Sequence, residues 1–284
     1  MRARVPSSTS NLGPGFDVLG LALGLYVEVS VADSDEFVLT TEGEGSNLPC
    51  DKTHLAAQIA IAIRGHDRLK IHVNSEIPLG RGLGSSAALA AATAAAAGSD
   101  DPLGVAAKHD GHAENAAASV LGGLVAATMI EGRPVARRLP FDEELAFVVI
   151  VPDRELATKT ARSVLPDTVA FADAVSNLGR MGLLLAGLAD RSALTSAAGL
   201  DRLHQDARTS LYPEAPTLLG ALREAGAVVS CWSGAGPSLL GICTSDVVAE
   251  LVVEAATGAL RGVDLPGKVL QLRPDTDGLI LRQS

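Results

Sequence analysis

Short apolar runs alternate with polar breaks along the first third of the chain. Met1–Val5 predicts a short strand, broken by Pro6 and the polar run Ser7-Ser8-Thr9-Ser10-Asn11. Leu12-Gly13-Pro14-Gly15-Phe16-Asp17 reads as a tight loop, because glycine and proline punctuate it. Val18–Leu25 fits a strand or a helical turn, Tyr26–Val31 alternates as a strand does, and Glu36–Thr41 is a further strand. His54–Arg64 carries apolar residues at helical spacing, and Leu69–Asn74 alternates again. An alanine run, Ala87–Ala97, predicts a helix, and Leu103–Ala118 is helix-rich around a polar cluster.

The second half starts a strand at Gly122-Gly123-Leu124-Val125-Ala126-Ala127, entered through a glycine turn. Leu145–Pro152 is nearly continuous in apolar residues and predicts a buried central strand. Helices follow at Lys159–Leu165, Asp167–Ala189 and Ala215–Ala225, strands at Ala227–Trp232 and Ser238–Cys243, then a helix at Val247–Leu260 and a strand at Lys268–Leu272. Helices and strands alternate without strict βαβ regularity, which predicts an α+β fold. The loop around Glu131–Asp142 is the expected boundary, dividing the chain into residues 1–140 and 141–284.

Between the Leu69–Asn74 strand and the alanine helix lies the most distinctive chemistry. Gly80, Gly82 and Gly84 alternate, so the backbone can approach a ligand with no β-carbon in the way. Ser85 and Ser86 follow, and a helix N-terminus at that point suits a phosphate. A P-loop is excluded, because no Lys precedes the Ser; so is the dinucleotide fingerprint, because Ser85 stands where it needs glycine. What remains is a phosphate loop of a third kind, or a glycine-rich turn before a buried helix. A second cluster, Ser233-Gly-Ala-Gly-Pro-Ser238, could brace that loop, approach a nucleotide, or form an ordinary hairpin turn.

His109, Asp110, His112 and Glu114 lack zincin spacing, since the histidines are three apart and Gly111 interrupts the helix. Polarity near a substrate is favoured over a transition-metal site. Thr158 and Arg162 fall one turn apart on a helix, and Leu203-His204-Gln205-Asp206-Ala207-Arg208 offers a second arginine. Two arginines could clamp a carboxylate, or both could be surface residues.

A net charge of −10 and an aromatic content of 3% argue against a nucleic-acid partner. The longest apolar stretch, Ala87–Ala97, is too short to span a bilayer, so no membrane partner is expected. The N-terminus has no apolar signal core. Cys50, Cys231 and Cys243 lack metal or disulfide spacing, which fits a reducing, cytoplasmic setting.

Three separated motifs, Pro6–Gly20, Pro78–Ala88 and Ser233–Ser238, together resemble the GHMP superfamily of small-molecule kinases. Within it, Asn11–Asp17, Gly111-His-Ala-Glu-Asn115, Leu121-Gly-Gly-Leu124, Thr158-x-x-x-Arg162 and Leu203-His-Gln-x-x-Arg208 look most similar to homoserine kinases. The resemblance implies a two-domain α+β fold with the active site in the inter-domain cleft, residues 1–140 forming the ATP-binding domain and 141–284 a C-terminal α+β domain. It implies transfer of the γ-phosphoryl of ATP to the side-chain hydroxyl of L-homoserine, a step of threonine biosynthesis. Pro78, Leu79, Gly80, Arg81, Gly82, Leu83, Gly84, Ser85, Ser86, Ala87 and Ala88 would cradle ATP, and Ser86 with Asp110 would hold Mg2+. Arg162 and Arg208 would hold the substrate carboxylate and Asp17 its ammonium. Asn11 and Asn115 would add polar contacts, and Thr158 would lie near the reacting groups. Dimers are common in the family, so a homodimer is an open expectation.

The sequence departs from the pattern in places. The usual Glu-Gly-His-Pro-Asp-Asn is Asp110-Gly-His-Ala-Glu-Asn115, Lys108 stands near an expected metal-holding glutamate, and Leu-His-Gln-Pro-Tyr-Arg is Leu203-His-Gln-Asp-Ala-Arg208. The alternatives are a kinase for another small hydroxy-amino acid or amino alcohol, such as L-threonine, or a binding homologue without catalysis. Mevalonate-type relatives carry an aspartate base where Asn115 stands, so no dedicated general base is expected.

Overall fold

Residues 1–282, which the computed structural model describes, form two sheets and nine α-helices. The first sheet has seven strands. Its spine is β1 (Arg2–Ser10) against β2 (Leu19–Asp33), with β3 (Val38–Gly43), β4 (Leu69–Ser75), β5 (Leu124–Ile130), β6 (Arg133–Arg138) and the last strand, β11 (Ile280–Arg282). The second sheet is antiparallel, in the order β10 (Gly267–Leu272), β7 (Ala146–Pro152), β9 (Leu239–Cys243), β8 (Val229–Trp232). As its apolar run predicts, β7 is an inner strand with every residue buried.

Against β1 and β2 of the first sheet packs α2 (Ser85–Ala96), flanked by α1 (Leu55–Arg64), α3 (Pro102–Asp110) and α4 (Glu114–Leu121). Its alanines are buried on all sides, and their small side chains let neighbouring backbones close in. One apolar core runs from the first sheet through α2 to Phe147, Val149 and Val151 of β7. A second lies between the other face of β7 and α8 (Ala215–Glu224) and α9 (Asp246–Gly262). No helix among the described residues is long and apolar enough to cross a membrane.

Four expectations change. Pro6 does not end β1: the register shifts between Pro6 and Ser7, and that bulge absorbs the missing N–H. The polar run beyond it is buried strand, its hydroxyls bonded to Leu23 O, Asn115 and Ser233. Val18–Leu25 and Tyr26–Val31 merge into β2, whereas Leu103–Ala118 is interrupted at Gly111 as expected, with a φ of 77°. The expected boundary loop is mostly β6, an edge strand whose arginines and proline hide its alternation. The chain crosses to the second sheet after it. Finally, β11 returns to pair with β1, so the segment after β10 packs with the first sheet and not with 141–272.

Candidate active site

The glycine loop is rigid because its backbone is hemmed in. Gly82 and Gly84 have φ of 72° and 65°, and a β-carbon there would lie 2.2 Å from Ser233 O and 2.1 Å from Ser8 Oγ. Gly84 caps α2 with no side-chain hydrogen bond, which leaves the first N–H groups of the helix facing outward. The second glycine cluster braces this cradle: Ser233 Oγ donates to Gly82 O at 2.7 Å, and Gly234 N donates to Ser10 O at 3.0 Å. Gly234 and Ala235 also line the cavity in front of the loop, whose volume is about 240 Å³.

The far wall of that cavity is built from side chains. Asn11 and Asp17 have φ of 72° and 56°. Asn11 is the strut of their loop, accepting from Asp17 N at 3.0 Å and donating to Gly234 O at 2.8 Å. Asp17 pairs with Arg162 of α5 (Thr158–Ser163). Arg208, at the end of α7 (Gln205–Arg208), is 1% exposed and donates to His204 Nδ1 (2.9 Å), Gly234 O (3.0 Å) and Ala161 O (3.3 Å). Since His204 Nδ1 accepts from a guanidinium, Nε2 carries the proton and donates to Gly13 O at 2.9 Å. Phe16 stacks on this imidazole, with both guanidiniums 5.5 Å from its ring centre.

Burial pushes His204 down to about 4, so it is neutral. Burial, aided by the nearby Arg162, lowers Arg208 to about 10, which leaves it charged at neutral pH. Asp201 accepts from the backbone N–H groups of Leu203, His204 and Gln205, and Gln205 Oε1 accepts from Trp232 N. The Leu-His-Gln-x-x-Arg motif is therefore the frame that aims one arginine.

Between the two walls sit Ser86, Asp110, His112, Glu114, Asn115 and Thr158. Burial raises Asp110, opposed by His112, His109 and a hydrogen bond from Ser86. Asn115 is fully engaged in the frame, accepting from Ser8 Oγ at 3.0 Å and donating to Ser10 Oγ at 3.1 Å. Glu114 is 3% exposed, and its Oε2 has no hydrogen-bond partner. Burial pushes its carboxyl up to about 7. It is absent from the residues expected to act, although its position next to Asn115 at the start of α4 was a signal that could have found it. Among the described residues, no group of three or more His, Cys, Asp or Glu gathers as a metal centre.

A second cavity of about 270 Å³ adjoins the first through Ser85 and Ser86. Leu48, Pro49, Leu55, Leu79 and Leu89 make it apolar, with His54 and Thr53 at its wall.

The structure thus brings Asn11, Asp17, Gly82, Gly84, Ser85, Ser86, Asp110, Asn115, Thr158, Arg162 and Arg208 around one cavity. It does not bring all of the expected loop there. Pro78 is buried, and Leu83, Ala87 and Ala88 pack in the main core, because alternate residues of the loop must point inward to hold it. Gly80 and Arg81 lie at the outer lip, where Leu156 N donates to Gly80 O and Arg81 faces Glu155 at 3.5 Å. Lys108 and Asp206 are exposed and Ala207 half-buried, so three of the departures from the family pattern lie outside the cavity.

Known proteins resemble this chain in sequence and in fold. The profile "GHMP kinases N terminal domain" matches residues 52–123, and "GHMP kinases C terminal" matches residues 174–261. The chain belongs to the GHMP kinase family. A homoserine kinase of Moorella thermoacetica is 37% identical over 98% of both chains. One of Streptomyces coelicolor is 40% identical over 91% of this chain and 88% of its own. The crystal structure of homoserine kinase from Cytophaga hutchinsonii superposes with a TM-score of 0.85 at 27% identity, covering 99% of this chain and 96% of that one. The fold is thus that of two-domain GHMP kinases.

Proposed function

We propose that this GHMP kinase transfers the γ-phosphoryl group of ATP to the side-chain hydroxyl of L-homoserine. The observation that carries the reading is the Arg162–Asp17 ion pair beside buried Arg208, across one cavity from the uncapped glycine loop. A paired cation and anion are the complement of an amino-acid zwitterion. The substrate carboxylate takes Arg162 and Arg208, its ammonium takes Asp17, and one internal ion pair is exchanged for two with the ligand. The names and identities of the two curated relatives support the same substrate.

Phosphoryl transfer needs positioning and charge stabilisation more than covalent work. The N–H groups of Gly82–Ser86 hold the phosphates, and the adjoining apolar cavity takes the adenine. Asp110 and Ser86 offer hard oxygens side by side, which suits Mg2+, an ion that needs only one or two protein oxygens beside phosphate and water. Bound there with ATP, Mg2+ would neutralise charge developing on the phosphates. Thr158 stands at the same cavity and orients the reacting groups. A cytoplasmic location goes with this reading, and Cys50, Cys231 and Cys243 are free thiols.

The test is turnover by purified protein with ATP and Mg2+ over a panel of hydroxy-amino acids and amino alcohols. The expected result is the highest kcat/KM for L-homoserine, with L-threonine and homoserinol far behind. Absence of phosphoryl transfer to homoserine overturns the reading.

A further inference from the structure

We propose that the outer face of helix α6 (Phe171–Ala189) pairs antiparallel with the same face of a second copy of this chain. The proposal is independent of the substrate assigned above. Every exposed residue of this helix is apolar or glycine: Phe171, Val175, Leu178 and Leu183, with Gly179, Gly182 and three alanines between and beside them. The four large side chains are 85%, 51%, 64% and 48% accessible. Helix α9 also exposes two such residues, Val247 and Leu251, but among Glu250, Glu254 and Arg261, as a solvated face does. The opposite side of α6 is already used. Leu184 and Leu188 enter the core there, and Asn177 donates to Pro14 O at 2.7 Å and accepts from Arg202 N at 3.2 Å. The outer face is an apolar patch with no work to do inside the chain.

Its residues are arranged to fit themselves. A closed pair is twofold, so residue i meets j wherever j meets i. An axis between Leu178 and Gly179 sets Leu178 of each copy against Gly179 of the other, Val175 against Gly182, and Phe171 against Ala186. Large meets small at all three levels. The bulky residues recur four and then three positions apart in the first half of the helix, and the small ones three and then four apart in the second. The two glycines have no other account in the fold. A β-carbon at either would meet nothing within 4 Å, and glycine inside a helix weakens it.

Size and charge point to a second copy as the occupant. The face offers on the order of 600 Å² per copy, so a pair buries about 1,200 Å², the lower edge of what specific interfaces need. It holds no charged side chain, so two chains of net charge −10 meet there without bringing like charges into contact. A lipid surface fits less well, because no Lys or Arg is among the exposed residues of α6 to reach anionic headgroups.

The experiment is sedimentation velocity on the full chain from about 1 to 100 μM, the range in which an interface of this size should dissociate. Wild type is expected to pass from monomer to dimer over that range. Leu178→Glu puts like charges beside the axis, and Gly182→Leu fills the space that Val175 of the other copy would take. Each should weaken the dimer by at least about tenfold. Gly182→Leu has room in the single chain, so at the lowest concentration it should melt no lower than wild type, which keeps a lost dimer distinct from a damaged fold. In a Cys50→Ser background, Leu178→Cys should cross-link to its own copy on oxidation. Phe171→Cys should not, since its two copies would lie about 22 Å apart along the paired helices. A wild type that stays monomeric at the highest concentration overturns the proposal, and if that monomer pellets with phosphatidylglycerol vesicles, the face serves a lipid surface instead. Variants that remain as dimeric as wild type overturn it too, by putting the interface elsewhere. So does Phe171→Cys linking as readily as Leu178→Cys, which excludes the antiparallel register. None of these readouts needs substrate, so their failure and a failure of phosphoryl transfer are separate results.

Discussion

In the function proposed above, the two ends of the cavity bind anions by opposite means. At the glycine loop the ligand meets main chain, and the residues that matter are those with no side chain, Gly82 and Gly84. At the other end it meets Arg162, Asp17 and Arg208, side chains from three separate segments held by His204, Phe16 and Asn11. A backbone site comes from one contiguous stretch and tolerates little change. A side-chain site is assembled from afar and can be tuned residue by residue, which is where a kinase family can change its substrate.

The sharpest way to break the backbone end is Gly82→Ala. A left-handed φ costs about 1–2 kcal/mol for an L-residue, and overpacking against Ser233 O adds about 1–3 kcal/mol. The expected outcome is a lower melting temperature and a loss of roughly 10²–10³-fold in kcat/KM for ATP, read by steady-state kinetics. A variant with normal ATP kinetics would show that the loop is not where phosphate binds.

The side-chain end should fail with acid. The His204 value in the fold lies below its ordinary 6.5, at about 4, so the unfolded chain binds more protons between those values. The stability this group contributes is fully present above pH 6.5 and drains away as pH falls towards 4. It amounts to roughly 3 kcal/mol, measurable as melting temperature against pH. His204→Gln keeps a donor for Gly13 O but does not titrate, so its curve should be flatter over that range.

Arg162→Ala and Arg208→Ala separate substrate contact from framework. Each removes a charge-assisted contact worth about 1.5–3 kcal/mol, or roughly ten- to a hundredfold in kcat/KM for homoserine. Homoserinol, which lacks the carboxylate, should be a poor substrate for wild type and no poorer for Arg162→Ala; equal losses on both substrates would disprove the clamp. Arg208→Ala should also lower the melting temperature, because it strands His204 Nδ1 and removes one of the two donors to Gly234 O. Arg162 is about one-third exposed, and its loss should leave stability nearly unchanged.

The smallest effect is expected at the lip. Glu155 faces Arg81 with its side chain 74% exposed, so Glu155→Gln should alter kcat/KM by less than about threefold. A larger change would mean that the segment leading to α5 controls the phosphate loop through this contact.

Legibility in the sequence followed the same division. The glycine loop, its serines and the alanine helix form a contiguous pattern with a local physical meaning, and the structure places Gly82, Gly84, Ser85 and Ser86 at the cavity. Arg162 and Arg208 were candidates for a carboxylate clamp by residue type, but only the resemblance favoured that reading over two surface arginines. The strand through Ser7–Ser10 was hidden because the hydroxyls of Ser8, Thr9 and Ser10 find partners on α4 and the second glycine cluster, more than a hundred residues away. Glu114 was passed over for a related reason. Its environment is made by burial, by Asp110 four residues before it, and by Asp17 and Arg162, which are distant in the chain.

Periodicity and glycine spacing, by themselves, determined the α+β class, the buried β7, the alanine helix and a tight glycine turn ahead of it, since each depends on steric and hydrophobic terms acting within a few residues. Only the tertiary structure decided that β11 returns to the first sheet, that Leu83, Ala87 and Ala88 face the core, and that His204 is a neutral strut under Arg208. It also decided that one glutamate stands buried and unpaired beside the cavity. Charge, proton affinity and strand pairing across long separations are properties of what surrounds a residue in space, and a linear pattern does not contain those surroundings.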